Sequence, residues 1–263
     1  MYLGLNGKTA AVCASSRGLG RAVAFGLAQE GAQVAVCSRS EENIRAAAEE
    51  IARETGAPVH ATAADVSVPE DARRFLAETR AAFGQIDILV TNAGGPPPGG
   101  FDETPAESYD LAHRLTLMSA VNLIRDAAPE MKERRWGRIV NMTSLSVKQP
   151  MDNLILSNTA RAAVVAFAKT AATALAPYNV TVNNLCPGII YTDRIVELTQ
   201  ARAAANGTSP EEEAEALKAT IPMGRLGEPA EFANAAVFLA SEAASYITGA
   251  TIQVDGGAVK SLL

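Results

Sequence analysis

The sequence predicts an α/β fold, a parallel sheet of seven strands covered by helices on both faces. Three observations predict it. Short apolar runs alternate with longer segments whose apolar residues recur at helical spacing. The runs are near-continuously apolar and not alternating, as expected of strands buried on both faces. Gly31, Gly56 and Gly84 each close a helical segment two residues before the next run, where a left-handed terminal residue is favoured.

The strands are expected at 9–13, 33–37, 58–61, 86–90, 138–142, 180–185 and 252–254. Between them, helices are expected at 18–30, 41–55, 69–83, 104–134, 152–176, 192–218 and 228–240. Ser40 ahead of Glu41 and Glu42, and Thr104 ahead of Pro105, read as helix starts. The sharpest compositional break, Gly-Gly-Pro-Pro-Pro-Gly-Gly over 94–100, directly follows a strand and reads as a loop. With no linker or repeat in sight, residues 1–263 are expected to form a single domain.

Composition excludes several classes. A net charge of −6 and scattered basic residues argue against nucleic acid and anionic membranes as partners. The most apolar stretch, 162–176, is too short to span a bilayer and contains Lys169. Cys13, Cys37 and Cys186 are odd in number and lack metal-site or disulfide spacing, so no metal is expected. Residues 1–8 do not resemble a secretory signal, and a reducing cytoplasm is the expected location.

The first strand runs into Ala14-Ser15-Ser16-Arg17-Gly18-Leu19-Gly20 and then a helix. Glycines at such a turn let the backbone approach a pyrophosphate, and the helix N-terminus supplies amide donors. This makes the predicted fold a doubly wound Rossmann-type sheet with a dinucleotide site. Where a free ribose hydroxyl usually meets an acid, the second strand ends in Cys37-Ser38-Arg39. Ser38 can donate to a 2′-phosphate and Arg39 can pair with it, with Arg17 as a second cation, which favours NADP over NAD. The plainer alternative is an exposed arginine at a helix start.

These segments together resemble the short-chain dehydrogenase/reductase family, in particular its 3-oxoacyl-acyl-carrier-protein-reductase-like branch. Further matches are Asp65-Val66, Asn92-Ala93-Gly94, Gly137-Arg138-Ile139-Val140-Asn141, Pro187-Gly188, Pro222-Met223-Gly224-Arg225 and Asp255-Gly256-Gly257. The resemblance implies that Asp65 binds the adenine with Val66 packed beside it. It implies that Asn92, Ala93 and Gly94 line the adenosine ribose, and that Pro187, Gly188, Ile190 and Thr192 hold the nicotinamide half. It also implies a substrate lid over 192–220 and a homotetramer, or a homodimer, joined through the two long helices and the last helix and strand.

The departures from the family are concentrated at the active site. Ala14 replaces a usual glycine, a change that is mild if its φ is negative. The family pattern is a serine after the fifth strand, a tyrosine thirteen residues on and a lysine four further. Here Ser144 is present, but Ser157 and Arg161 stand at the tyrosine and lysine positions, and Thr116 falls where an asparagine is expected.

A serine hydroxyl is far less acidic than a phenol, and arginine stays protonated. Ser157 can donate a hydrogen bond, or can simply satisfy a helix carbonyl. Arg161 can polarise it, hold the nicotinamide ribose or bind an anionic substrate. Tyr191 and Lys148 are secondary candidates for the missing acid, Tyr109 lies towards the pocket edge, and His60 and His113 read as structural. The proline loop is a candidate wall for a small, hydrophobic substrate.

Three functions compete on these residues. One is an NADP(H)-dependent oxidoreductase interconverting a carbonyl and an alcohol. The others are a non-catalytic dinucleotide-binding protein and a cofactor-assisted lyase or isomerase. The nicotinamide segment favours the first, and the altered pair favours the second.

Overall fold

The computed structural model describes residues 2–262. Its seven strands are β1 (Thr9–Val12), β2 (Gln33–Ser38), β3 (Val59–Ala63), β4 (Ile88–Thr91), β5 (Gly137–Met142), β6 (Val180–Pro187) and β7 (Thr251–Val254). They form one parallel sheet in the order β3-β2-β1-β4-β5-β6-β7. Chain order reverses between β1 and β4, and such a switch point opens a crevice beyond the strand ends.

Alternate strand residues feed opposite cores. Ala10 and Val12 join a cluster with Val23, Leu27, Ile44 and Phe232. Ala11 and Cys13 join the other, with Phe75, Leu123 and Ala168. Helices α1 (Gly18–Gln29), α2 (Glu41–Thr55) and α9 (Pro229–Leu239) therefore cover one face. Helices α3 (Pro69–Phe83), α5 (Ser119–Arg134) and α6 (Ile155–Leu175) cover the other.

The predicted turn chemistry holds at most positions. Ser40 Oγ accepts from the Asn43 amide, and Gly31, Gly56 and Gly84 take φ of 84°, 73° and 86°. Two helical expectations change. Thr104 does not open a helix: its hydroxyl donates to the Gly100 carbonyl, and α4 begins only at Glu107. The expected helix over 104–134 becomes α4 (Glu107–Ala112), a π-helical turn (His113–Met118) and α5. Ser119, whose hydroxyl donates to the carbonyls of Leu115 and Thr116, closes that wide turn.

The segment expected as one helix over 192–218 is two, α7 (Asp193–Asn206) and α8 (Pro210–Ala219). Gly207 in the left-handed conformation stops the first. Ser209 and Glu212 open the second with reciprocal capping bonds. Ile189, Ile195, Leu217, Ile221 and Leu226 pack together beneath this pair.

Candidate active site

The turn after β1 combines close approach with strain. A Cβ on Gly20 would overlap the Ala14 carbonyl oxygen and stand 3.0 Å from Asn92 Nδ2. That same carbonyl accepts from Asn92 Nδ2 at 3.3 Å, which ties the ends of β1 and β4 together. The N-terminus of α1 begins at Gly18, φ 58°, and Arg17 in the capping position makes no side-chain bond to it. The first amides of the helix, along the Ser16-Arg17-Gly18-Leu19 turn, are left for a ligand, which suits a pyrophosphate. Ala14 itself has φ 48°, so the negative φ that would make its methyl harmless is not found. A non-glycine residue there carries a penalty of about 1 kcal/mol.

The neighbouring candidates differ in how far their side chains are already engaged. Arg39 is exposed at the end of β2, whereas the Ser38 hydroxyl already donates to the Ser40 carbonyl at 3.1 Å. Arg17 reaches Glu197 on α7 at 3.3 Å, with both side chains more than half exposed. Asp65 Oδ1 accepts from the amide and hydroxyl of Ser67, and Val66 beside it is buried. A Cβ on Gly94 would meet nothing, so the space beside Asn92 and Ala93 is open. Pro187 ends β6, Gly188 backs onto Asp255, Ile190 is buried, and Thr192 precedes α7 without a side-chain bond to it, its methyl facing Gly18.

At the C-terminal ends of β5 and β6 lies the second half of the site. Ser157 and Arg161 are both buried, one helical turn apart on α6. The Ser157 hydroxyl lies 3.5 Å from that of Ser146, not against Ser144. Ser144 instead accepts from the Ser146 amide and caps the short turn Leu145–Val147. Arg161 Nη1 donates to the carbonyls of Met142 at 3.1 Å and Thr143 at 2.8 Å. Burial, and then the charge of Arg194, pull its guanidinium down to about 10, partly countered by Cys186. At neutral pH it remains charged.

Burial pushes the Cys186 thiol up despite a 3.1 Å contact with Thr143 Oγ1 and the charge of nearby Lys148. Thr116 sits in the π-helical turn, which packs on α6, and its buried hydroxyl has no hydrogen-bond partner among the described residues. Tyr191 is exposed, and Tyr109 packs with Ala112, Leu156 and Ala160. His60 stands edge-on to Phe83 near Glu78, away from the site.

A family model described as enoyl-(acyl carrier protein) reductase matches residues 13–259. This chain belongs to the short-chain dehydrogenase/reductase family. It is 35% identical over 98% of its length to the 3-oxoacyl-[acyl-carrier-protein] reductase FabG of Aquifex aeolicus, 99% of which is covered. Among solved structures, L-sorbose reductase from Gluconobacter frateurii complexed with NADPH and L-sorbose superimposes with a TM-score of 0.96. That match has 34% identity and covers 100% of both chains. An NADPH-bound short-chain oxidoreductase from Pseudomonas aeruginosa, described as containing an atypical catalytic center, superimposes with a TM-score of 0.90. Its identity is 31%, over 99% of this chain and 100% of that one.

Two residues of this short-chain dehydrogenase/reductase were missed in the sequence. Ser146, two places after Ser144, supplies the hydroxyl next to Ser157; the Ser-x-Ser spacing was the available signal. Arg194 crosses from α7 to the end of β4. Its Nη1 and Nη2 lie 2.7 and 3.0 Å from where a Cβ on Gly95 would stand. Nothing in the local pattern of α7 marks that reach. The Ser261 hydroxyl donates to the Lys148 carbonyl at 3.3 Å, so the C-terminal segment lies against the loop that follows Ser144.

Proposed function

We propose that this chain is an NADPH-dependent carbonyl reductase in which Ser157 and Arg161 take the places of the family's tyrosine and lysine. The observation that carries the reading is spatial. The uncapped start of α1, the open Gly94 space and the buried Ser146–Ser157–Arg161 group lie beyond the ends of the adjacent strands β1, β4 and β5. These features fit a dinucleotide: free amides for the pyrophosphate, and glycine where a side chain would block it. NADPH in the sorbose reductase and in the Pseudomonas oxidoreductase supports the cofactor. The latter's atypical catalytic center supports turnover without a standard site.

The residues divide the work as follows. Ser16, Arg17, Gly18, Leu19 and Gly20 hold the pyrophosphate, Arg39 pairs with the 2′-phosphate, and Asp65 and Asn92 bind the adenosine. Pro187, Gly188, Ile190 and Thr192 orient the nicotinamide. When bound, the cofactor supplies a hydride to the carbonyl carbon.

Ser157 donates a hydrogen bond to the carbonyl oxygen and hands its proton to the alkoxide. It regains a proton from Ser146, which is replenished from solvent. The charge of Arg161 stabilises the negative oxygen in a water-poor site, where a fixed positive charge acts strongly. Ser144 and the turn it caps hold Ser146 in place. Helices α7 and α8 form the lid over 192–220, and the whole chain acts as one domain.

The same reading places the protein in the cytoplasm as a tetramer or dimer. No helix among the described residues is long and apolar enough to cross a membrane.

A second reading, a cofactor-binding protein without turnover, is favoured by Arg161 committing Nη1 to two backbone carbonyls, a bracing role. NADPH titration by fluorescence, combined with a broad carbonyl and alcohol panel, separates the two. Binding with turnover supports the reductase, binding without turnover supports the second reading, and no binding defeats both.

A further inference from the structure

Two guanidinium groups among the described residues are buried, and they are treated differently. Arg138 is fully buried and is neutralised: Nη2 meets Glu242 at 3.3 Å, and its other nitrogens donate to the carbonyls of Gly137, Asn179 and Ser241. Arg161, nine-tenths buried, makes no ion pair among the described residues, and both its hydrogen bonds leave from Nη1. A buried charge without a counter-charge is expensive.

The space around Arg161 holds more positive charge. Arg194 makes no ion pair among the described residues and extends its guanidinium over Gly95, where any side chain would exclude it. Arg194 stands past the end of β4 and Arg161 binds the end of β5, and these two strands are neighbours in the sheet. Lys148, unpaired among the described residues, acts on Cys186 at the end of β6 and faces the same region. Arg194 is exposed, and exposed arginines here differ in their partners: Arg74 and Arg225 have carboxylates at 2.8 and 2.7 Å, whereas Arg39 and Arg125 make no ion pair among the described residues. Cofactor phosphates do not account for Arg161. It braces the end of β5, two strands from β1, roughly 10 Å across the sheet from the phosphate turn.

We propose that the substrate is an oxo acid whose carboxylate is held by Arg194 with Arg161 behind it, while its carbonyl meets Ser157. This rests on the reductase reading and names its substrate class. The candidate substrates are the 2-, 3- and 4-oxo acids, in which one to three bonds separate the carboxylate carbon from the carbonyl carbon. Arg194 is a specificity residue that touches substrate, and Gly95 makes room for it.

The test titrates 2-oxobutanoate, 3-oxobutanoate and 4-oxopentanoate, each against its methyl ester, into the NADP⁺-saturated protein and the cofactor-free protein by calorimetry. Reduction of the same pairs and NADPH affinity are measured in parallel for wild type, Arg194→Gln and Arg194→Lys. The expected result is at least tenfold tighter binding and higher kcat/KM for one acid over its ester. That preference falls to near parity in Arg194→Gln and partly returns in Arg194→Lys, with NADPH affinity within twofold throughout.

Equal binding of acids and esters, or no acid binding at all, overturns the proposal. So does a tenfold loss of NADPH affinity in Arg194→Gln with the acid preference intact, which assigns the guanidinium to cofactor phosphate. Acid binding without hydride transfer leaves the anion site standing and defeats the reductase reading alone.

Discussion

The side-chain oxygens of Ser157 and Ser146 lie 3.5 Å apart, one at the start of α6 and the other in the turn after β5. Both are buried, and Arg161 lies one turn beyond Ser157. A hydroxyl relay of this kind loses its end donor in Ser157→Ala. Steady-state kinetics of that variant are expected to show kcat/KM lower by about 10²–10³-fold, the usual effect of removing one donor to a developing oxyanion. Fluorescence titration should show NADPH affinity within twofold. Ser146→Ala should lose less, about tenfold, because water can replace a relay hydroxyl. A larger loss in Ser146→Ala than in Ser157→Ala would reverse the order of the relay.

Ala14 with φ 48° makes a different prediction. Ala14→Gly removes the left-handed penalty and is expected to stabilise the protein by about 1 kcal/mol, a rise in Tm of a few degrees at this size. Scanning calorimetry checks this, and no gain would mean that the methyl makes compensating contacts. Gly20→Ala should act in the opposite sense, because the new Cβ overlaps the Ala14 carbonyl. Overpacking of this kind costs about 1–3 kcal/mol and should also weaken NADPH binding.

Arg161 predicts a pH effect. Its guanidinium is pulled down to about 10 in the fold, mainly by burial, from its ordinary higher value. Between those values the unfolded chain binds the extra proton, so this residue's contribution to stability rises with pH. Below pH 10 both states are charged and the destabilisation by burial is fully present. The stability advantage of Arg161→Met over wild type, or its smaller disadvantage, is therefore expected to shift by ~1 kcal/mol in favour of wild type between pH 8 and pH 10.5. Urea denaturation at the two pH values measures it. A shift in the other direction contradicts a burial-dominated guanidinium.

Arg39 carries the cofactor preference. Arg39→Ala should weaken NADPH binding by 10–100-fold, about 1.4–2.8 kcal/mol, and leave NADH within threefold. Equal weakening of both would mean that Arg39 supports the turn and not the phosphate. The Ser38 hydroxyl, already donating to Ser40, should contribute less: Ser38→Ala is expected to change NADPH affinity by under fivefold.

Much of this was legible in the sequence, for identifiable reasons. Strands such as β1 and β4 are buried along their whole length, so their runs are almost wholly apolar, and glycines such as Gly56 and Gly84 mark helix ends through their positive φ. The glycine turn and Asn92 were readable because close backbone approach tolerates few residues. What was not legible depends on tertiary placement. Spacing cannot give the sign of φ at Ala14, and no periodicity reports the π-helical turn that leaves Thr116 Oγ1 unpartnered. Ser146 displaced Ser144 beside Ser157 because Ser144 is used as a cap. Arg194 is four residues beyond the buried Ile190, on a helix whose local pattern is that of any solvated surface.

The central claim is that hydride reaches a carbonyl here without a phenol, with Ser157 as the donor to oxygen. NADPH carrying deuterium on the transferable carbon tests it most directly, in a single turnover over a panel of oxo acids and neutral ketones followed by mass spectrometry. The account predicts one deuterium at the carbinol carbon of at least one product, formed ~100-fold more slowly by Ser157→Ala at equal NADPH saturation. Saturating NADPH binding with no deuterium in any product, or equal rates in wild type and Ser157→Ala, would contradict it.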